Sequence, residues 1–226
     1  MLNLEEIKEK LAIDVIGVAD LDPLRNYPTY PENLLERFTR GMVIGVRLND
    51  AVFDGLPESR SIYARQYQIA NDRLDHAAFE ISREIEKHGY KAMPIPASRI
   101  IEGLHWRSYI SHKAIARAAG VGWIGKNLLL VTKEHGPRIR MASILTDMPL
   151  EAGEPVKRRC GRCRECIENC IVGALRDSEF EDYPEREEVF DVDRCAGILK
   201  EFASDRNIGA MVCGICIKVC PWGKRR

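Results

Sequence analysis

No apolar run in the chain approaches the roughly 20 residues that a membrane-spanning helix needs. Charge of one sign is not in excess either: 34 acidic and 34 basic side chains leave a formal net charge of zero. A strong nonspecific grip on nucleic acid is therefore not expected, although local basic patches remain open. The N-terminus, MLNLEEIKEKLAIDVIGVADLDP, is acidic and amphipathic. It lacks the basic segment followed by an apolar core that marks a signal peptide. A soluble cytoplasmic protein with no membrane partner is expected. Its 226 residues suffice for one large domain plus a small one, and apolar (45%) and charged (30%) contents are those of ordinary globular chains.

Cysteine is missing from everything before Cys160, so all eight cysteines fall in the last third. Without an export signal, four disulfides are a poor reading, because the cytosol is reducing. Structural zinc is the better alternative, since C-x2-C pairs are common zinc ligands. Zinc sites, however, pair two separated C-x2-C units, whereas CGRCRECIENC runs C-x2-C-x2-C-x3-C. That is the bacterial ferredoxin pattern, in which three thiolates wrap one [4Fe–4S] cube and the fourth reaches a second. The second half supplies Cys195 and then Cys213-x2-Cys216-x3-Cys220-Pro221. By symmetry, one cluster takes Cys160, Cys163, Cys166 and Cys220. The other takes Cys170, Cys213 and Cys216, with Cys195 standing in for the missing first cysteine of the second run. Ile171 occupies a position where such runs usually carry proline, and VGAL after it suits a short helix. Two cubes in line carry single electrons, so residues 155–226 are expected to form a wire. A wire needs a terminus.

The first 150 residues read as a mixed domain. Residues 4–12 suggest a helix, DVIGVAD and GMVIGVRL (41–48) strands, and 59–87 a long helix with Ile62, Tyr67, Ile69, Leu74, Phe79 and Ile85 near helical spacing. YKAMPIPAS is a strand ending in prolines. Ser111 reads as the N-cap of a helix over 112–119, and Gly120 as its stop. The apolar runs 128–132 and 139–146 flank KEHGP and predict a hairpin. Mixed strands and helices imply an α/β or α+β domain, with Glu151 to Pro155 as the linker. GVGWIGK is the chemically suggestive loop. Three glycines let backbone approach a ligand, and the indole suits a flat surface. The loop is neither a dinucleotide fingerprint nor a Walker A motif, and a purely structural turn is the alternative.

GVGWIGKNLLL…ILTD, the first cysteine run, the lone Cys195 and the closing C-x2-C-x3-CPW together resemble the iron–sulfur and cobalamin-dependent epoxyqueuosine reductases, and YARQY (63–67) is similar to a segment of that family. The resemblance runs from about Tyr63 to the C-terminus. It implies an α+β chain: a nitroreductase-like domain (1–150) holding a base-off cobalamin, then a two-cluster ferredoxin domain (155–226). Reductive dehalogenases share that layout. The resemblance further implies that Gly122, Trp123, Ile124, Gly125, Lys126 and Asn127 hold the cofactor, and that a low-potential ferredoxin or flavodoxin supplies electrons for reduction of a small molecule. The chain departs from the family twice. The helical-repeat extension after the last cluster motif does not appear, so only weak tRNA binding is expected. The position of the family's proton-donating Asp, counted back from Gly120, is Trp106.

Reduction at carbon needs a proton as well as electrons, so His105, Tyr109 and His112 become the candidate proton carriers, with Lys113 beside them as an anion partner. The plainer readings are a surface His105, a half-core Tyr109 and a solvated first helical turn. The basic KRRCGRCR segment suits either docking of an acidic electron donor or stabilisation of an anionic cluster, and the GKRR tail reads as a solvated end. The leading function is an iron–sulfur reductase that passes electrons to cobalamin. Its rivals are a non-catalytic electron carrier acting on a partner's cofactor, and a pocket filled by flavin or left empty.

Overall fold

A computed structural model describes residues 2–178, 180 and 185–224. By contact the chain sorts into two compact units that interleave along the sequence. The first comprises residues 1–47, 70–122 and 140–156, and the second 48–69, 123–139 and 157–226. Residues 48–69 and 123–139 thus group with the cysteine-rich segment rather than with the rest of the first 150.

The first unit opens with helix α1 (Leu4–Lys10), capped by Asn3, whose side chain accepts from the Glu6 amide at 3.3 Å. Strands β1 (Val15–Asp20) and β2 (Arg40–Arg47) pair antiparallel, Val15 opposite Gly45 and Asp20 opposite Arg40. Six consecutive residues of β2, Gly41 to Val46, are buried, which explains its unbroken apolar run: both faces are covered. The short helix α2 (Asp50–Asp54) follows, then α3 (Arg60–Lys87), whose residues up to Ile69 belong to the second unit. The buried stripe of α3 is Tyr63, Ala70, Leu74, Ala77, Ile81 and Ile85, while Ile62, Ile69 and Phe79 are more than half exposed. Helical spacing marked those three together with Leu74 and Ile85, but only the latter two are buried.

Strand β3 (Ala92–Ile95) leads to a loop without regular structure and then to α4 (His112–Ala118), stopped by Gly120 in the left-handed region. Ser111 occupies the N-cap of α4, but its side chain makes no capping bond. The alanine-rich face of α4 lies against β1 and β2. A Cβ on Gly41 would stand 3.0 Å from both Ile115 and Leu21, so this close approach depends on glycine. Burying Ile115 there is worth about 2 kcal/mol.

The expected hairpin over 128–146 does not form. Instead β4 (Trp123–Ile124) pairs with β5 (Leu130–Val131), and β6 (Ile139–Thr146) enters a four-stranded sheet of order β1-β2-β6-β3, antiparallel to β3. The turn survives as a single bridge between Thr132 and Gly136. β6 is buried at five successive positions, Ala142 to Thr146. A central sheet position covers more of that surface than a two-stranded ribbon would.

The second unit continues with α5 (Glu165–Glu168), α6 (Arg186–Val189), α7 (Val192–Ser204) and α8 (Ile215–Lys218). Asp191 caps α7 by accepting from the Arg194 amide at 3.0 Å. VGAL is turn and extended chain, not helix: Leu175 bridges to Phe190 instead. The chain is a mixed helix-and-sheet protein, as the sequence implied. Among the described residues no helix is long and apolar enough to cross a membrane.

Candidate iron–sulfur centre

Short helices place the cysteines. The amide of Cys163 bonds back to the Cys160 carbonyl at 3.1 Å, folding the first x2 spacing into a tight turn. α5 then carries Cys166, and α8 carries Cys216. Cys160, Cys163, Cys166 and Cys220 line one hollow of about 340 Å³, together with Gly125, Lys126, Asn127, Val131, Glu165, Pro221 and Trp222. Burial pushes the Cys166 thiol up to about 12, with Cys160, Cys220 and Cys163 adding to the rise. The other four form a second group. Burial raises Cys195 to about 11, with contributions from Cys213 and Cys170. Cys216 is raised further by burial and then by Cys213, Cys195, Cys166 and Cys170. Thiols so reluctant to ionise on their own become thiolates when a metal centre coordinates them. Among the described residues no three His, Cys, Asp or Glu side chains close tightly enough on a single ion. The first quartet surrounds open space, as a cube requires and a lone zinc does not.

The GWIGK loop forms one wall of this hollow. Lys126, 5% exposed, places its ammonium 3.0 Å from Asp177. Asn127 donates to the Cys216 carbonyl at 3.4 Å and accepts from the Leu129 amide at 3.2 Å. Trp123 is buried, its ring edge-on to Trp222 with centroids 4.9 Å apart. Trp222, expected at a solvated end, is therefore packed, while Arg225 and Arg226 lie outside the described residues. Asp177 is exposed enough to meet both Lys126 and Arg164, and its hydrogen bond to Lys126 lowers its carboxyl below the usual range. Ile124 is buried in β4, and Gly122 groups with the first unit.

Several of the residues expected to cradle a corrinoid have side chains engaged within the second unit. The ammonium of Lys126 lies on Asp177 and the amide of Asn127 on the cysteine-bearing backbone, while the Trp123 ring packs on Trp222 and its buried indole N–H has no hydrogen-bond partner among the described residues. A Cβ on Gly125 would stand 2.7 Å from the Asn127 side-chain oxygen and 2.8 Å from Val131. Gly125→Val is accordingly expected to push Asn127 out of place and cut iron in the first cluster by about half or more. Iron analysis with EPR would read this, and full iron occupancy in the variant would refute it.

The proton-carrier candidates lie in the first unit. His105 is exposed in a loop where it and Trp106 both have positive φ, 40° and 65°. Tyr109 is half-buried; its carbonyl accepts from the Tyr30 amide at 2.8 Å and its ring lies 6.3 Å from that of Tyr30. His112 has both ring nitrogens engaged, Nδ1 with the Ser143 hydroxyl and Nε2 with the Pro96 carbonyl, each at 2.9 Å. The carbonyl only accepts, so Nε2 carries the proton and Nδ1 accepts from Ser143. Burial lowers its pKa to about 4, against the opposing pull of the Pro96 bond, with Arg140 and Lys113 adding to the fall. A neutral, doubly bonded imidazole ties loop to strand, with its single N–H proton committed to the Pro96 carbonyl. Its ring signals are expected to stay unchanged by NMR until about pH 4. Unfolded, the same ring takes a proton near 6.5. The unfolded state then binds more protons between the two values, so stability present above pH 6.5 is lost as pH falls towards 4, on the order of 2 kcal/mol. Titration near 6.5 in the folded chain would refute the assignment.

Residues 159–223 match the family of 4Fe-4S double cluster binding domains. An epoxyqueuosine reductase from Aliivibrio fischeri is 28% identical over 167 residues, covering 74% of this chain and 42% of that protein. Another from Synechocystis sp. is 30% identical over 187 residues, covering 75% of this chain and 65% of that protein. The chain resembles the epoxyqueuosine reductases. It spans less than half of the Aliivibrio protein and about two thirds of the Synechocystis one. A solved reductive dehalogenase, described with a mechanism for B12-dependent dehalogenation, superposes with a TM-score of 0.75 at 20% identity, covering 98% of this chain and 31% of that one. That likeness establishes a shared fold.

The sequence did not single out Asp177 or Arg138. Arg138 is completely buried, with its guanidinium 3.4 Å from the Lys218 carbonyl, 3.5 Å from that of Trp222 and 3.5 Å from Asp50. No local pattern marks it, because its partners lie some eighty residues away.

Proposed function

We propose that the chain is an iron–sulfur oxidoreductase of the epoxyqueuosine reductase type, in which two [4Fe–4S] clusters relay single electrons to a low-potential acceptor that reduces a small organic or modified-nucleoside substrate. The observation that carries this reading is the sorting of eight cysteines into two quartets, the first around an open hollow. Cys160, Cys163, Cys166 and Cys220 hold one cluster; Cys170, Cys195, Cys213 and Cys216 hold the other, in a bacterial-ferredoxin arrangement. The fold shared with a B12-dependent dehalogenase supports a nitroreductase-like first unit and makes cobalamin the acceptor to test first. Bound, a cobalamin would supply a strongly reducing cobalt centre. With the nitrogens of His112 occupied, Tyr109 is the proton carrier this reading favours.

The wall residues favour a second reading. With Trp123, Lys126 and Asn127 committed within the second unit, the chain is equally suited to pass electrons to a cofactor held by a partner. Anaerobic reconstitution separates the possibilities. About eight irons and eight sulfides per chain are expected, and stoichiometric zinc without broad visible absorption would overturn both readings. Cobalamin added to this holoprotein and removed by gel filtration should leave cob(II)alamin bands on the protein if the chain holds its own corrinoid. Their complete absence selects the electron carrier.

A further inference from the structure

The first quartet is asymmetric in its exposure. Cys166 and Cys220 are buried, while Cys160 and Cys163 are only partly so, and the turn joining them lies at the surface. That turn sits in KRRCGRCR, residues 157–164, with five basic side chains and no acidic one. Two of the five are structurally committed or partly neutralised: Arg158 lies over the Phe180 ring at 4.6 Å, and Arg164 pairs with Glu168 at 3.0 Å and with Asp177; Lys126, on the wall behind, also takes Asp177. Lys157, Arg159 and Arg162 are exposed and make no ion pair with an acid among the described residues. Around the second quartet the charge is mixed, with the Arg60 guanidinium 3.4 Å from the Cys213 carbonyl. The flanks of that quartet mix Glu168, Asp191 and Asp193 with Arg194.

Two roles suit positive charge beside an anionic cluster. Charge that stabilises the cluster acts best when desolvated and aimed at it, because water screens an exposed side chain. Charge that gathers a partner acts best when exposed and unpaired. Lys157, Arg159 and Arg162, exposed and without an ion pair among the described residues, are of the second kind, and in sequence they flank the partly exposed Cys160 and Cys163.

We propose that the Cys160–Cys163 turn, with Lys157, Arg159 and Arg162 around it, is the docking face for an acidic, low-potential electron-carrier protein, so that electrons enter at the first cluster. The inference rests on the iron–sulfur reading. In the step itself, one electron leaves the reduced carrier, which is oxidised by one unit. The first cluster passes from its 2+ to its 1+ state, with no bond made or broken and no proton moved. The field of the three basic side chains raises the encounter rate and orients the carrier's acidic rim over the turn.

The test uses the anaerobic holoprotein with both clusters reconstituted. Stopped-flow mixing with a reduced [2Fe–2S] ferredoxin of acidic isoelectric point should give a second-order rate that falls steeply as salt is raised. A variant combining Lys157→Glu, Arg159→Glu and Arg162→Glu should lose about tenfold or more of that rate at low salt, and most of its salt dependence. Photoreduction by free deazaflavin, a small reductant that needs no docking, should proceed equally in both proteins. An unchanged ferredoxin rate in the variant overturns the proposal. So does a shifted cluster midpoint potential with that rate intact, which would assign the charges to cluster stabilisation. Loss of RNA stem-loop binding with the ferredoxin rate intact likewise overturns it, in favour of a nucleic-acid face. Failure of deazaflavin to reduce the wild-type holoprotein would instead break the iron–sulfur reading beneath it.

Discussion

Changing Cys195 to Ala is expected to remove one cluster and leave the other. Cys195 sits in the first half of α7, away from either cysteine run, and its thiol is raised by Cys213 and Cys170 but by none of the first quartet. Cys166, by contrast, is influenced by Cys160, Cys220 and Cys163. Iron should therefore fall from about eight to about four per chain, with one EPR signal lost and the other retained. Ferredoxin-driven reduction of the surviving first cluster should continue, because the entry turn is untouched, while any downstream turnover should stop. Two outcomes contradict the assignment: loss of both signals in a chain that remains folded, or retention of both.

How much of this was legible beforehand depended on how local the determining physics was. Double-cluster character is set by short spacings, so the cysteine runs could be read directly, and the family match over residues 159–223 agrees with that reading. The strands DVIGVAD and GMVIGVRL were equally legible as short apolar runs, the second unbroken because β2 is buried at six successive positions. Pairing was not. The runs 128–132 and 139–146 flank a real turn, but apolar pattern cannot say that β6 enters a sheet between β2 and β3 while β5 turns back to β4. On α3 the aromatic and branched residues misled, because small residues such as Ala70 and Ala77 form the packed stripe beside Leu74. GWIGK looked like a ligand loop by composition. Composition could not show that its side chains meet partners distant in sequence: Asp177 for Lys126, Cys216 for Asn127 and Trp222 for Trp123.

Arg138 is the extreme of that nonlocality, and its removal is expected to have the largest structural effect. In Arg138→Ala, Asp50 loses its cationic partner and the carbonyls of Lys218 and Trp222 lose a buried donor. The Phe53 ring, 5.8 Å from the guanidinium, is left beside a cavity. Breaking a buried ion pair from one side costs about 3–5 kcal/mol, or roughly 10 °C in melting temperature for a chain of this size. The loss is also directional. Lys218 ends α8 and Trp222 follows Cys220, so Arg138 fastens the segment that delivers Cys220 to the first quartet. Its charge further favours the Cys220 thiolate, against the burial that raises that thiol to about 11. The variant should thus lose the first cluster to a chelator well before the second. Arg138→Lys keeps the charge but not the fork that spans two carbonyls and Asp50, and should fall between the two. A melting temperature within about 2 °C of wild type in Arg138→Ala, with both clusters equally resistant to chelation, would show that the C-terminal segment is held by its own packing on Trp123 rather than by this buried guanidinium.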